Sequence, residues 1–199
     1  MVDSKISIIG AGSGAFARIL TRDICLTPNL EGATISLMDI NKERLDAVYS
    51  LCKRYADEVG IRLKFEKTVD RGESLKDADF VINSALAGGH RRLGEGWSIA
   101  LKHGYSFGGS FHIMHDEAFW VNFYQYKLFD SVISDVLDIC PDAWYIQDAN
   151  PILASITYET RKYNKAKIVG LCSGSDPTRI ATQLRLEREH VTAQAVGVN

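Results

Sequence analysis

Ile6-Ser7-Ile8-Ile9-Gly10-Ala11-Gly12-Ser13-Gly14-Ala15 is the stretch on which the reading of the chain turns. A short, mostly apolar strand runs into a glycine-rich turn and then into a helix. Gly10 permits the tight turn, and Gly12 leaves the backbone bare where a phosphate would approach. Ala15 is small enough for the helix to lie close on the strand. The free N–H groups and positive dipole end of that helix then face an anion. Gly10, Gly12, Ser13, Gly14 and Ala15 are therefore the candidate cradle for the pyrophosphate of a dinucleotide.

Glycines in this spacing arise at many tight strand-to-helix turns, so the context carries the reading. A second strand, Thr34 to Met38, ends at Asp39, which is placed to accept hydrogen bonds from an adenosine ribose. Asp39 is alternatively the N-cap of the next helix, a role equally open to Asn41. An acid here repels a ribose phosphate and favours NAD over NADP, a preference tempered by Lys42 and Arg44.

Strand and helix alternate onward from there. Lys42 to Val59 reads as an amphipathic helix with Leu45, Val48, Leu51, Cys52 and Tyr55 on one side and Gly60 as its stop. Arg62 to Lys67 reads as an exposed edge strand, Ser74 to Asp77 as a short helix, and Phe80 to Asn83 as a buried strand. Glu117 to Cys140 is the longest helical pattern. Trp144 to Ile146 and Lys167 to Leu171 complete the strands. This alternation predicts an α/β fold, a doubly wound parallel sheet of the Rossmann type; parts of its motif pattern also resemble lactate and malate dehydrogenases, which have the same cofactor fold. Ligands in such a fold gather at the carboxyl ends of the strands. The polar candidates fall there: Gly10 to Gly14, Asp39, Ala87 to Arg92, Asn150 and Cys172.

The chain has 199 residues, 46% of them apolar, and a formal net charge of −2. That balance provides no basic face for nucleic acid and no polybasic block for an anionic membrane. No apolar run approaches the ~20 residues that span a bilayer. Met1 to Lys5 is polar and lacks the pattern of a secretory leader, so a cytoplasmic location is expected. Cys25, Cys52, Cys140 and Cys172 show no close pairing. The first three have apolar neighbours that suit small buried thiols, and the set is not a disulfide framework.

Ala85 to Glu117 reads as a long irregular segment, rich in glycine and dense in polar chemistry. Gly88 suits close approach of backbone to a cofactor, and Arg91 or Arg92 suits a carboxylate, phosphate or sugar hydroxyl. Either arginine is equally a solvated loop charge. His112 and His115 are candidates for a metal pair or for two ordinary polar residues. Asp116 is a candidate catalytic carboxylate, or with Glu117 the negative start of the long helix. Asn150, held extended by Pro151 in a bond that suits a cis peptide, is a candidate for a substrate hydroxyl or a turn residue. Cys172 is open to three roles: metal ligand, nucleophile, or small capping residue.

Taken together, Ile8-Ile9-Gly10-Ala11-Gly12-Ser13, Leu37-Met38-Asp39, Ala78 to Asn83, Gly88-Gly89-His90, Pro141 to Tyr145, Ala149-Asn150-Pro151 and Val169-Gly170-Leu171-Cys172 closely resemble glycoside hydrolase family 4. Within it the likeness is strongest to the α-glucosidase and α-glucuronidase branch. The resemblance implies a glycosidase that departs from the two-carboxylate mechanism. NAD oxidises the sugar at C3, the ketone acidifies the C2 proton, and a base removes it while a divalent metal, usually manganese, steadies the enediolate. The glycosidic oxygen leaves, water adds, and hydride returns. Position by position, the resemblance makes Cys172 a metal ligand, Asn150 a substrate contact, and Asp116 an acid near the site.

Two departures qualify the resemblance. Ser173 stands where the family usually has His after the metal cysteine, which bears on the choice of sugar. The family places a second metal-binding histidine after a tripeptide like Gly197-Val198-Asn199, followed by a substrate domain. The expected organisation is thus an NAD-binding domain over 1–172 and the start of a C-terminal substrate and metal domain over 173–199. A small sugar is the expected partner, and aromatic residues near the long helix suit a homo-oligomer interface.

Overall fold

The structure, a computed structural model, describes residues 2–104, 119–171, 181, 182 and 184–192; for residues 89, 90, 92, 93, 119–121 and 188 it describes the backbone alone. Six strands form one parallel sheet: β1 (Lys5–Ile9), β2 (Thr34–Met38), β3 (Lys64–Thr68), β4 (Phe80–Asn83), β5 (Trp144–Gln147) and β6 (Lys167–Gly170). Their order across the sheet is β3-β2-β1-β4-β5-β6. The order therefore reverses between β1 and β4, where Ile9 lies opposite Asn83, while on its other side Ile9 lies opposite Met38 of β2. That reversal is where a doubly wound sheet opens a crevice.

Alternation along each strand divides the core in two. Ile6, Ile8, Ile35 and Leu37 point to α1 (Phe16–Cys25) and α2 (Lys42–Val59), meeting Ala17, Ile24, Leu45, Val48 and Cys52. Ile9, Met38, Val81 and Tyr145 point the other way, to α3 (Arg71–Leu75) and α5 (Phe119–Ile139), through Leu75, Val132, Ile133 and Val136. Strands covered on both faces tolerate few polar side chains, and those present are satisfied. Ser7 and Ser36 sit on the α3 face, and both share hydrogen bonds with the Ser74 hydroxyl, at 2.7 and 3.0 Å.

Helix α2 spans the residues its periodicity predicts. Asn41 caps it by accepting from the Arg44 N–H, and Gly60 ends it at φ +78°. Leu51 departs from the expectation: it is 46% exposed, because it sits at the edge of the stripe occupied by Leu45, Val48 and Cys52. Asp70 caps α3, which lies three residues earlier than the sequence pattern suggests. Cys25, Cys52 and Cys140 are buried and unbridged. Burial raises all three thiols, as expected of inert core cysteines.

The larger correction falls on the segment after β4. Residues 89–102 form a helix, α4 (Gly89–Lys102), not an irregular loop. Gly88 adopts φ +71° as its N-cap. Gly94 and Gly96 lower helix propensity, yet α4 contacts α5, and tertiary contact outweighs a cost of about 1 kcal/mol per glycine. Helix α6 (Ile152–Lys162) covers β6 closely. A Cβ at Gly170 would come within 2.6 Å of Ile156 and 2.7 Å of Ile152. Among the described residues no helix is long and apolar enough to cross a membrane.

Candidate functional site

The carboxyl ends of β1, β2, β4 and β5 line one edge of the sheet, and two groups of candidates meet there. The first is the glycine turn. Gly10 adopts φ +86°, and its N–H and that of Ala11 both donate to the Met38 carbonyl at 2.9 Å. A Cβ at Gly10 would lie 2.6 Å from the Ala85 Cα, so only glycine fits between β1 and the segment after β4.

Gly12 requires glycine for a reason the sequence conceals. Its N–H donates to the Asp39 Oδ2 at 2.8 Å, and a Cβ there would lie 2.6 Å from the Asp39 Cγ. The space kept clear is occupied by the chain's own carboxylate. The other oxygen of Asp39 accepts from the Asn41 N–H at 2.8 Å. The helix cap falls to Asn41, which leaves Asp39 tying the glycine turn to the end of β2.

Beyond Gly12, the Ser13 N–H is taken by the Gly10 carbonyl. Among the described residues none accepts from the N–H of Gly14 or Ala15, and the first turn of α1 holds no acidic residue. Two open donors at the N-terminus of a ten-residue helix fit an anion such as a pyrophosphate. Ala15 is exposed; the small residues that let α1 approach the sheet are Ala11 and Ala17, both fully buried. The close packing expected of Ala15 belongs to them. Gly14 has only ordinary clearance, 3.9 Å to Val48, so space does not demand glycine there.

The second group is a buried polar chain under the ends of β4 and β5. Asn83 and Gln147 end their strands in register with each other. The Asn83 Nδ2 donates to the Tyr145 hydroxyl at 2.8 Å, and that hydroxyl donates in turn to the Gln147 Oε1. The Gln147 Nε2 closes the chain on the Ala149 carbonyl at 2.6 Å. All three side chains are fully buried. Burial, then the nearby Glu159 charge, pushes the Tyr145 phenol well above its ordinary range and keeps it a donor.

Asn150 follows directly, half-buried, in a cis peptide bond to Pro151. Gln125 of α5 reaches the segment after β4. Its amide donates to the Ala85 carbonyl and accepts from the Ala87 N–H, both at 2.8 Å.

The remaining candidates stand apart. Arg91 lies on the exposed side of α4 and pairs with Glu95 one turn on at 2.8 Å, with side-chain exposures of 80% and 56%. Asp116, His112, His115 and Cys172 lie outside the described residues. Among the described residues no group of three His, Cys, Asp or Glu side chains could hold a metal.

Sequence reading passed over Gln125 and the joint action of Asn83, Tyr145 and Gln147. A signal existed for two of them: each ends an otherwise apolar strand, Phe-Val-Ile-Asn and Trp-Tyr-Ile-Gln, with a buried amide. Glu159 of α6 was also missed. It is fully buried, and among the described residues neither carboxylate oxygen meets hydrogen-bond geometry. Burial, opposed by the Ser155 hydroxyl one turn back and reinforced by the Asp130 carboxylate, raises Glu159 to about 7.

Comparison with known proteins bears on the fold and the family. An alpha-galactosidase of Bacillus subtilis (strain 168) is 28% identical over 211 residues, covering 98% of this chain and 45% of its own. A 6-phospho-alpha-glucosidase from gut microorganisms, crystallised in complex with NAD and Mn2+, matches with a TM-score of 0.79 at 21% identity, over 94% of this chain and 43% of its own. A lactate dehydrogenase from Cryptosporidium parvum, complexed with lactic acid and its nicotinamide cofactor, matches with a TM-score of 0.64 at 20% identity, over 96% of this chain and 53% of its own. This chain thus spans about half the length of the relatives it matches. The sequence profile described as Family 4 glycosyl hydrolase matches residues 5–186, and the chain belongs to that family.

Proposed function

We propose that this chain is the cofactor-binding part of an NAD-dependent glycosidase acting on α-glycosides, a glucoside or a glucuronide. The observation that carries the reading is the pair of open donors, Gly14 and Ala15, at the start of α1, beside an Asp39 already locked onto Gly12. That arrangement suits a pyrophosphate at the helix and a ribose at the end of β2.

NAD, when bound, would supply a hydride acceptor at C3 of the sugar, making the neighbouring C2 proton easier to remove. The chain's own part is to orient the groups around it. Asn150 offers a donor and an acceptor at the end of β5, suited to a sugar hydroxyl. Gly88, at φ +71°, opens α4 with no side chain at the point where a cofactor would lie. Asp116 is the proposed acid near the site. Cys172 is the proposed ligand for Mn2+, which would steady negative charge on the sugar when bound. The Phe123 and Tyr124 rings, half-exposed on α5, suit the expected homo-oligomer.

The reading is tested by supplying the protein with NAD, Mn2+ and an α-glycoside in D2O. Deuterium at C2 of the released sugar, with no net NADH, is the expected result; release without deuterium sinks the elimination route. Net NADH from a 2-hydroxy acid would favour a dehydrogenase, the reading consistent with the likeness to lactate dehydrogenase.

A further inference from the structure

If the dinucleotide's pyrophosphate lies at α1 and its adenosine ribose at β2, its other half crosses the switch point to the ends of β4 and β5. The surface waiting there is backbone: residues 84–88 after β4 and residues 148–151 after β5. Few of its bonds are its own. The Ala85 N–H depends on the Asn83 Oδ1 at 3.1 Å, and the N–H groups of Asp148 and Ala149 both depend on the Asn83 carbonyl. Gln125 holds Ala85 and Ala87 from above. The Ala149 carbonyl, immediately before Asn150, hangs from Gln147.

We propose that Tyr145 and Gln125 are positioning residues for the nicotinamide end of the cofactor, joining the segment after β4 and the turn before Asn150 into one floor. The inference rests on the NAD reading above. Beside the backbone bonds to the Asn83 carbonyl, Tyr145 is the side-chain joint: among the described residues its hydroxyl connects the Asn83 amide serving the first segment to the Gln147 amide serving the second. The polarity of the chain is fixed at both ends: Asn83 must accept from Ala85, and Gln147 must donate to Ala149. The hydroxyl can therefore only accept from Asn83 and donate to Gln147. Removing it leaves a buried donor and a buried acceptor without partners, free to turn and release their backbone groups. Gln125 fixes the other side of the same segment with both ends of one amide. Their hydrogen bonds go to Asn83, Gln147, Ala85 and Ala87, and none goes to Gly12 or Asp39, beside which the adenosine half would lie.

The test compares NAD with ADP-ribose, which lacks only the nicotinamide, by titration calorimetry on this chain and on Tyr145→Phe and Gln125→Met. The parent is expected to bind NAD more tightly. Each variant is expected to lose about tenfold in NAD affinity while holding ADP-ribose within about twofold, so retained ADP-ribose binding doubles as the check on folding. A NAD-to-ADP-ribose ratio unchanged in both variants overturns the proposal. So does an equal loss of both ligands, which marks the residues as merely structural. A parent that binds the two ligands equally also overturns it, though the adenosine-half reading then stands. A parent that binds neither overturns the NAD reading itself.

Discussion

Between Gly10 and Asn41 the sheet edge is organised by backbone N–H groups and one short carboxylate, and its key side-chain bonds span 27 residues at most. Between Asn83 and Asn150 it is organised by buried amides and a phenol whose bonds reach 40 and 62 residues along the chain. The first half is a local motif that any helix N-terminus of this kind reproduces. The second exists only once β4, β5 and α5 have assembled. The two approach closely where Gly10 passes Ala85. A dinucleotide site built this way has one half written in contiguous sequence and the other in tertiary packing.

The largest expected effect lies where the halves touch. Gly10→Ala places a methyl 2.6 Å from the Ala85 backbone at φ +86°, and neither side has a flexible side chain to yield. A loss of about 3 kcal/mol or more in urea unfolding is expected. A loss below about 1 kcal/mol would mean the segment after β4 gives way freely, and the halves are not in rigid contact.

Next is Glu159, beneath the β4–β5 half. The folded chain keeps this carboxyl neutral up to about 7, against 4.5 for the free group. Below 4.5 both folded and unfolded chains hold the proton. Between 4.5 and about 7 only the unfolded chain releases it, so the folded state loses stability as pH rises, by about 3 kcal/mol in all. Glu159→Met is therefore expected to gain about 3 kcal/mol over the parent between pH 4 and pH 8. A gap independent of pH, read from denaturation midpoints, refutes that account.

Asp39→Asn belongs to the first half alone. It keeps one acceptor and loses the charge, so both NAD and ADP-ribose should weaken about tenfold, with their ratio unchanged. A selective loss of NAD would break the separation between the halves. Arg91→Ala should change stability by less than about 0.5 kcal/mol, since its pairing with Glu95 lies in solvent. A larger loss would show α4 resting on more than its contact with α5.

How much was legible follows the same division. Asp39 and the glycines could be read because their roles need residues adjacent in sequence or one strand apart. The reason for Gly12 could not, because it depends on how the Asp39 side chain folds back over the turn. Gly88, Gly94 and Gly96 made α4 look irregular: propensity is a local quantity, and the contact with α5 that stabilises this helix is not. The cis bond at Asn150 was suggested by its proline. Gln125 had no local signal, since one polar residue on a long helix resembles any other until its partner is known.

By itself the sequence determined the alternation of strands and helices, the parallel sheet and the glycine turn with Asp39. These rest on periodicity and turn chemistry, which act over a few residues, whereas the family likeness rests on matching motifs. Only the tertiary structure decided which carboxylate fills the space over Gly12, which amides hold the ends of β4 and β5, and that Glu159 is fully buried. Each of these is a question of what lies opposite a side chain. Chain positions 40 or 62 residues apart carry no record of that until hydrophobic burial brings their elements together.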